Sequence, residues 1–546
     1  MSPRPRVKDY VKSLPNDLMS SIVVFLVALP LCLGVALASN APLFSGIISG
    51  IIGGIAVGLA SKSHLSVSGP AAGLTAIVSV AVITLQTWDV FLVAVVICGI
   101  LQMALGFFKA GIIGDYVPNS VIKGMLAAIG LILILKQLPH LIGYDSNFEG
   151  DESFQQTDRD NTFSGIFSAF NHITPIAALI GIVCIVFYFI WEKLTSAKKG
   201  FIKRVPAPLL IVVIGVALNY FAGQINPSNA LTGEHLVRIP VASSASAFFS
   251  FFTHPDWSQS FNPEVLKIGV TLALVASLES LLSIEAVDDL DPFQRVTPTS
   301  RELKAQGLGN IISGLVGGLP VTSVIVRSSA NVNAGAKTKM STIYHGIFLL
   351  LSAAFIPAIL NMIPNAALAA ILIYTGYKLA KPSLFRAFYK KGWDQFLPFL
   401  ITIAAILLTD LLVGVLIGIG AGLFFVMRSN FKTAVFVVND NNKYLFRLRK
   451  DVSFLNKAVI KQKLEQVPSD SYVIIDAARA DFIDRDVVET IEDFMIHAPL
   501  KNIAVELKKS NYKEQGFAKK ITAPASHGSR LVRTTENEVK EIAVTV

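Results

Sequence analysis

From residue 17 to 430 the chain alternates long apolar runs with short polar breaks, and from 433 onward it takes on the mixed pattern of a soluble sequence. Runs of roughly 20 apolar residues match the hydrocarbon thickness of a bilayer. Candidate spans lie at 18–38, 43–60, 70–86, 89–108, 119–138, 172–194, 207–223, 264–285, 306–318, 321–335, 342–361, 366–380, 394–410 and 412–428. That makes about fourteen, of which 306–318 and 321–335 are too short to cross alone. The pattern predicts a mostly α, polytopic membrane protein with a small α/β domain behind it. The expected divisions are a basic arm (1–16), a transmembrane domain (17–430), an α/β domain (431–510) and a polar tail (511–546).

Charge orients these segments. Cytoplasmic loops carry an excess of Lys and Arg. Here the arm carries Arg4, Arg6, Lys8 and Lys12. The loop at 193–204 holds Lys193, Lys198, Lys199, Lys203 and Arg204, and that at 378–391 holds Lys378, Lys381, Arg386, Lys390 and Lys391. Breaks on the other side, around 39–42, 86–89, 361–366 and 409–411, contain neither Lys nor Arg, and the segment 139–171 is acidic (Asp145, Glu149, Asp151, Glu152, Asp158, Asp160). Both termini are therefore expected in the cytoplasm, with the chain in a bacterial-type inner (plasma) membrane. The first apolar run is too long for a cleaved leader and has no clear cleavage site. Overall composition agrees: 53% hydrophobic and 16% charged, against roughly 25% charged in soluble chains. The net charge of +9 sits in loops between apolar runs, so it reads as topology and not as nucleic-acid binding.

A weak internal repeat runs through the membrane part. Ile48-Ser-Gly-Ile-Ile-Gly-Gly54 is echoed by Ile312-Ser-Gly-Leu-Val-Gly-Gly318, and Pro118-Asn119 by Pro364-Asn365. Both pairs are separated by seven spans, an odd offset that inverts the second copy. Inverted repeats are typical of secondary transporters, with the site between repeats near the bilayer midplane. A non-helical stretch meeting a proline follows each Gly-Gly segment: Leu65-Ser-Val-Ser-Gly-Pro-Ala-Ala-Gly-Leu74 and Gly317-Gly-Leu-Pro-Val-Thr-Ser-Val-Ile-Val-Arg327. Proline suits the first position of a helix. A helix that begins inside the membrane leaves free N–H groups at depth. Its dipole makes that end attractive to an anion. The candidate anion site is therefore Ser68, Gly69, Pro70, Ala71 and Ala72 with Thr322, Ser323 and Arg327. Arg327, seven residues beyond Pro320, would sit roughly 10 Å along a helix and add positive potential, or would simply reach the interface.

Glu279 is the lone charge between Ile268 and Ile284. As a buried acid it could exchange a proton, or with Ser283 one turn later, and Thr322, hold a sodium ion as coupling ion. Asp410 reads as a turn cap. Cys32, Cys98 and Cys184 lie inside apolar runs without metal spacing, and His64, His140, His172, His235 and His345 receive no role. No cofactor, resident metal or enzymatic constellation is expected.

Together these residues resemble the SulP family of anion transporters. Ser66-Val-Ser-Gly-Pro-Ala-Ala-Gly73 is similar to the family's third-helix signature. Ser300-Arg-Glu-Leu-Lys-Ala-Gln-Gly-Leu-Gly-Asn310 and Gly318-Leu-Pro-Val-Thr-Ser-Val-Ile-Val-Arg327 resemble its most specific block. The resemblance implies seven plus seven inverted helices, as in uracil permeases. A core (spans 1–4 and 8–11) would move against a gate (spans 5–7 and 12–14), with the anion between spans three and ten. It also implies a coupling role for Glu279, although sodium-bicarbonate members carry Asp there, and a homodimer. The tail resembles a STAS domain, with Tyr472-Val-Ile-Ile-Asp476 as a central strand; Asp486 stands where regulatory relatives carry a phosphorylated serine. The expected function is transport of sulfate, bicarbonate or chloride coupled to protons or sodium. The alternatives are a nucleobase permease of the same fold, which would need a second acid on span ten, and an anion channel or exchanger.

Overall fold

The computed structural model describes residues 7–145, 161–197, 206–242, 244–433, 435–509, 533–536 and 538–541. Of the charged loop residues above, Arg4, Arg6, Glu149, Asp151, Glu152, Asp158, Asp160, Lys198, Lys199, Lys203 and Arg204 lie outside the described residues. The chain divides into two units, Met1–Gly422 and Leu423–Val546.

In the first unit each apolar run meets a helix. Helix α1 is Val7–Ala38, and α2 begins at Leu43–Ile52 and runs on through a π-turn at Gly53–Val57 to Ala60. After a three-residue strand, β1 (Ser68–Pro70), come α3 (Thr75–Leu85), α4 (Trp88–Phe107), α5 (Asn119–Leu141), α6 (Pro175–Ala197) and α7 (Ala207–Ile225). The second half holds α8 (Pro263–Leu290), α9 (Thr299–Leu315), strand β2 (Val321–Ser323), α10 (Ile325–Asn333), α11 (Met340–Phe355), α12 (Asn365–Leu379), α13 (Trp393–Leu408) and α14 (Leu411–Thr433). Start signals are local. Asn262 caps α8 by accepting from the Glu264 N–H at 3.0 Å, and Asp410 caps α14 by accepting from the Val413 N–H at 2.9 Å.

Among the described residues, seven helices are long and apolar enough to cross a membrane. Two of them, α6 and α7, keep apolar side chains such as Ile182, Ile190, Val213 and Phe221 largely exposed. Exposed apolar area on that scale needs lipid around it. The fold is that of a multi-pass membrane-embedded protein.

Two expectations are corrected here. Neither Pro70 nor Pro320 opens a helix: Pro70 ends β1, and Pro320 directly precedes β2. Their helices start at Thr75, after a single 3-10 turn at Ala72–Leu74, and at Ile325. The reason is pairing across the molecule. β1 and β2 form an antiparallel ladder with Ser68 opposite Ser323, Gly69 opposite Thr322 and Pro70 opposite Val321. Backbone groups stranded at membrane depth are thereby satisfied. Arg327 accordingly lies in the first turn of α10, not two turns along a helix.

The histidines are the second correction. Two of those given no role meet one carboxylate: Asp145 Oδ1 lies 2.7 Å from His140 Nδ1, and Asp145 Oδ2 lies 2.7 Å from His235 Nδ1. Asp145, expected in a polar, acid-rich segment, is thus buried, with its side chain 3% exposed. This clasp ties the end of α5 to a strap at 231–239. The strap is itself held at the start of α12 by Val237 N to Ile363 O (3.0 Å) and by Asn365 Nδ2 to Glu234 O (2.9 Å).

The clasp is pH-dependent. Hydrogen bonding to Asp145 raises the His235 imidazole above its ordinary value, against partial burial. Burial pushes the Asp145 carboxyl up, but the hydrogen bonds with His140 and His235 outweigh it and hold it below the usual range. A raised histidine stabilises below its ordinary value and loses that contribution as pH rises through the folded one; a depressed carboxylate does so as pH falls. The strap is therefore tightest between the two. Hydrogen exchange of residues 231–239, corrected for intrinsic rate, should be several-fold faster at pH 9 than at pH 6. Asp145→Asn should abolish the difference.

Among its described residues the second unit holds a six-stranded sheet in the order β3 (Val435–Asp440), β4 (Lys443–Val452), β5 (Tyr472–Ile483), β6 (Ala504–Lys508), β7 (Arg533–Glu536) and β8 (Glu538–Glu541). β4, β5, β6 and β7 are parallel neighbours, and the two edges pair antiparallel. Helices α15 (Lys457–Glu465) and α16 (Arg485–His497) belong to this unit. Asp484 caps α16, and Asp486 pairs with Lys457 at 3.2 Å. Part of the expected polar tail is strand β7–β8; the rest of 511–546 lies outside the described residues.

Candidate functional site

The β1–β2 crossover lies between the starts of α3 and α10. Hydroxyls and amides dominate its surroundings. Ser66 Oγ and Ser323 Oγ are 2.7 Å apart, Val324 N donates to Val67 O (3.0 Å), and Val67 N donates to Ser328 Oγ (2.9 Å). Helix α9 braces both strands. Asn310 accepts from Val321 N (2.5 Å) and donates to Val321 O (2.9 Å), while Gln306 Nε2 donates to Ser68 Oγ (2.8 Å). These α9 residues lie in the block at 300–310, whose resemblance implied no individual role for them. Their signal was available: Glu302, Gln306 and Asn310 recur every fourth residue, so they share one helix face, and all three are fully buried.

Arg327 is wholly buried. Its Nη2 donates weakly to Pro70 O at 3.4 Å, its Nε and Nη1 have no nitrogen or oxygen partner, and the Cys32 thiol is a further polar neighbour. No carboxylate pairs with it among the described residues. The guanidinium occupies a slot made by missing side chains: a Cβ on Gly69 would lie 2.0 Å from Nη1, and one on Gly50 would lie 3.9 Å from it. The interface alternative for Arg327 is excluded by this burial. A cation held in a low-dielectric interior without a counter-charge costs several kcal/mol. Together with the free N–H groups of the two helix starts, it makes the crossover a place where negative charge is favoured.

The other predicted residues fall around it. Thr322 and Ser323 are fully buried in β2, and Ala71 follows β1 directly. The Glu279 carboxylate packs against the 3-10 turn, with Oε1 3.0 Å from where a Cβ on Gly73 would be. Ser280, its neighbour on α8, accepts from Ser323 N at 3.4 Å, whereas Ser283 is buried one turn further along. Among the described residues no group of three or more His, Cys, Asp or Glu side chains is arranged to hold a metal ion.

A cavity of about 850 Å³ opens between α1, α6, α10 and α12, lined by Lys12, Tyr188, Asn333, Tyr374 and Lys378 among others. Lys378 is paired with Glu192 at 2.5 Å. The cavity adjoins the last turn of α12, the end opposite the strap.

The chain is similar to known proteins in sequence and in overall fold. YvdB of Bacillus subtilis (strain 168) is 28% identical over 437 residues, covering 79% of this chain and 77% of its own. The bicarbonate transporter BicA of Picosynechococcus sp. is 25% identical over 428 residues, covering 76% of this chain and 70% of its own. The solved structure of the murine Solute Carrier 26 family member A9 anion transporter superposes with a TM-score of 0.64 at 16% identity, covering 93% of this chain and 87% of that one. The model of the sulfate permease family matches residues 14–404, a stretch that holds the crossover, Glu279 and Arg327, and the chain belongs to that family, SulP.

Proposed function

We propose that the protein is a secondary active transporter of small inorganic anions, sulfate or bicarbonate, driven by H+ or Na+ through alternating access. One observation carries this reading: the buried, unpaired guanidinium of Arg327 against a backbone crossover between two helix starts. Such a site supplies hydrogen-bond donors and positive potential with a single formal charge, which lets an ion bind and leave. A nucleobase would need a second acid near β2, and β2 and α10 offer Arg327 instead.

The core would be α1–α4 with α8–α11, and the gate α5–α7 with α12–α14. Packing is consistent with this grouping: α4 lies against α9 and α1 against α11, while α5 lies against α12 and α13. The chain would make fourteen passes or re-entrant segments in the inner membrane, with both termini in the cytoplasm as the loop charges imply. The cavity beside Lys12 then faces the cytoplasm, in keeping with an inward-open conformation. The second unit is read as a STAS-like domain, with Asp486 excluding a serine switch, and the assembly as a homodimer.

Glu279, with Ser283 and Thr322 as further oxygen ligands if the ion is sodium, is the coupling position. Uptake of labelled sulfate and bicarbonate into proteoliposomes, with and without sodium or pH gradients, tests the function; no uptake under any gradient defeats it. Glu279→Gln should abolish accumulation against a gradient while anion binding persists. A Glu279→Gln protein that still concentrates the anion removes this residue from coupling.

A further inference from the structure

Glu302 is a fully buried carboxylate on α9 with no part in binding the anion directly or in coupling. It accepts from Ser61 Oγ, just beyond the end of α2, and from Gln306 Nε2 at 2.8 Å. The same Nε2 donates to Ser68 Oγ at 2.8 Å. Glu302, Gln306 and Ser68 thus form one chain of hydrogen bonds ending on β1, at the predicted anion site.

The direction of that chain follows from chemistry. Both oxygens of Glu302 accept, Oε2 from Ser61 Oγ and Oε1 from Gln306 Nε2, the pattern of a carboxylate group with no donor of its own to offer. It therefore requires the NH2 side of the Gln306 amide to face it, even though Gln306 Oε1 is left buried without a partner. A flipped amide would set its oxygen against the carboxylate. With the NH2 so fixed, Ser68 Oγ must accept from Gln306. The Ser68 hydroxyl hydrogen is then left to donate away from α9. An inorganic anion can use only donors, so the orientation matters: with the amide reversed, Ser68 would donate to Gln306 and turn lone pairs toward the anion.

We propose that Glu302 is a positioning residue that acts through Gln306 to make Ser68 a hydrogen-bond donor to the transported anion. The proposal rests on the transport reading above and adds to it a residue remote from the anion itself. It differs from a purely structural brace, which would hold β1 in place whichever way the amide pointed. Asn310 is such a brace, since it contacts backbone N–H and C=O of Val321 together.

The test is a double-mutant cycle on the full-length protein in proteoliposomes, with labelled sulfate and bicarbonate as probes. Wild-type uptake is scored first, because its absence defeats the transport reading and not this one. In the Ser68 background, Glu302→Gln should raise KM about tenfold with kcat within about twofold, since a neutral side chain no longer dictates the amide direction. In the Ser68→Ala background the same change should alter KM less than about twofold, because the donor it controls is already gone. Gln306→Met, which removes the amide, should follow the same pattern and serves if Glu302→Gln is not recovered folded. An equal KM penalty in both backgrounds, or none in either, overturns the proposal.

Discussion

Arg327→Ala should lower anion affinity about a hundredfold and leave the anion-free protein no less stable than before. Truncating one partner of a buried charge interaction costs about 2–5 kcal/mol, and about 3 kcal/mol is roughly a hundredfold in Kd. The stability half of the prediction runs the other way because of what surrounds the residue. Arg327 is fully buried, and what it meets is a 3.4 Å bond to Pro70 O and the Cys32 thiol, with no carboxylate among them. Removing it therefore relieves an uncompensated charge instead of breaking an ion pair. Thermal unfolding in detergent checks both halves. Anion at 100 times the wild-type Kd should stabilise the wild type by about 2.7 kcal/mol, and a variant that binds a hundredfold more weakly by only about 0.4 kcal/mol. A variant that unfolds much earlier without anion, or keeps its anion-dependent gain, would show that Arg327 serves packing instead.

Gly69→Ala reaches the same group from the backbone side. The added Cβ would lie 2.0 Å from Arg327 Nη1 and 3.1 Å from Cζ. Both are far closer than the roughly 3.5–4.0 Å of ordinary contact. The obstructed atoms are the end of a long side chain, so the fold can survive by pushing the guanidinium aside. Folding and the β1–β2 pairing should persist while affinity falls at least tenfold. In an Arg327→Ala background the same substitution should change affinity less than twofold, because the clash is gone. Equal losses in both backgrounds would mean that Gly69 matters for the strand itself.

The sequence carries the helices well and the crossover poorly, for a physical reason. Apolar runs report burial in lipid directly, and each predicted segment meets a helix. A three-residue strand has no periodicity of its own. Ser68–Pro70 and Val321–Ser323 are extended because each is the other's partner, and Pro70 and Pro320 therefore looked like helix starts. The polar face of α9 was visible as Glu302, Gln306 and Asn310 at every fourth position, but only the structure reveals that this face grips both strands. Asp145 illustrates the opposite case. In sequence it belongs to an acidic loop; in the structure it is buried between His140, one helical turn before it, and His235, far along the chain.

The central claim is that a negative solute rests beside Arg327, between the turn at Ala72–Leu74 and the start of α10. The most direct measurement is a difference density map of the protein with and without saturating transported anion. The account predicts one peak at the crossover, within hydrogen-bonding reach of the first amides of α10 and of Ser68. A peak elsewhere in the protein, with the crossover unchanged, would contradict it.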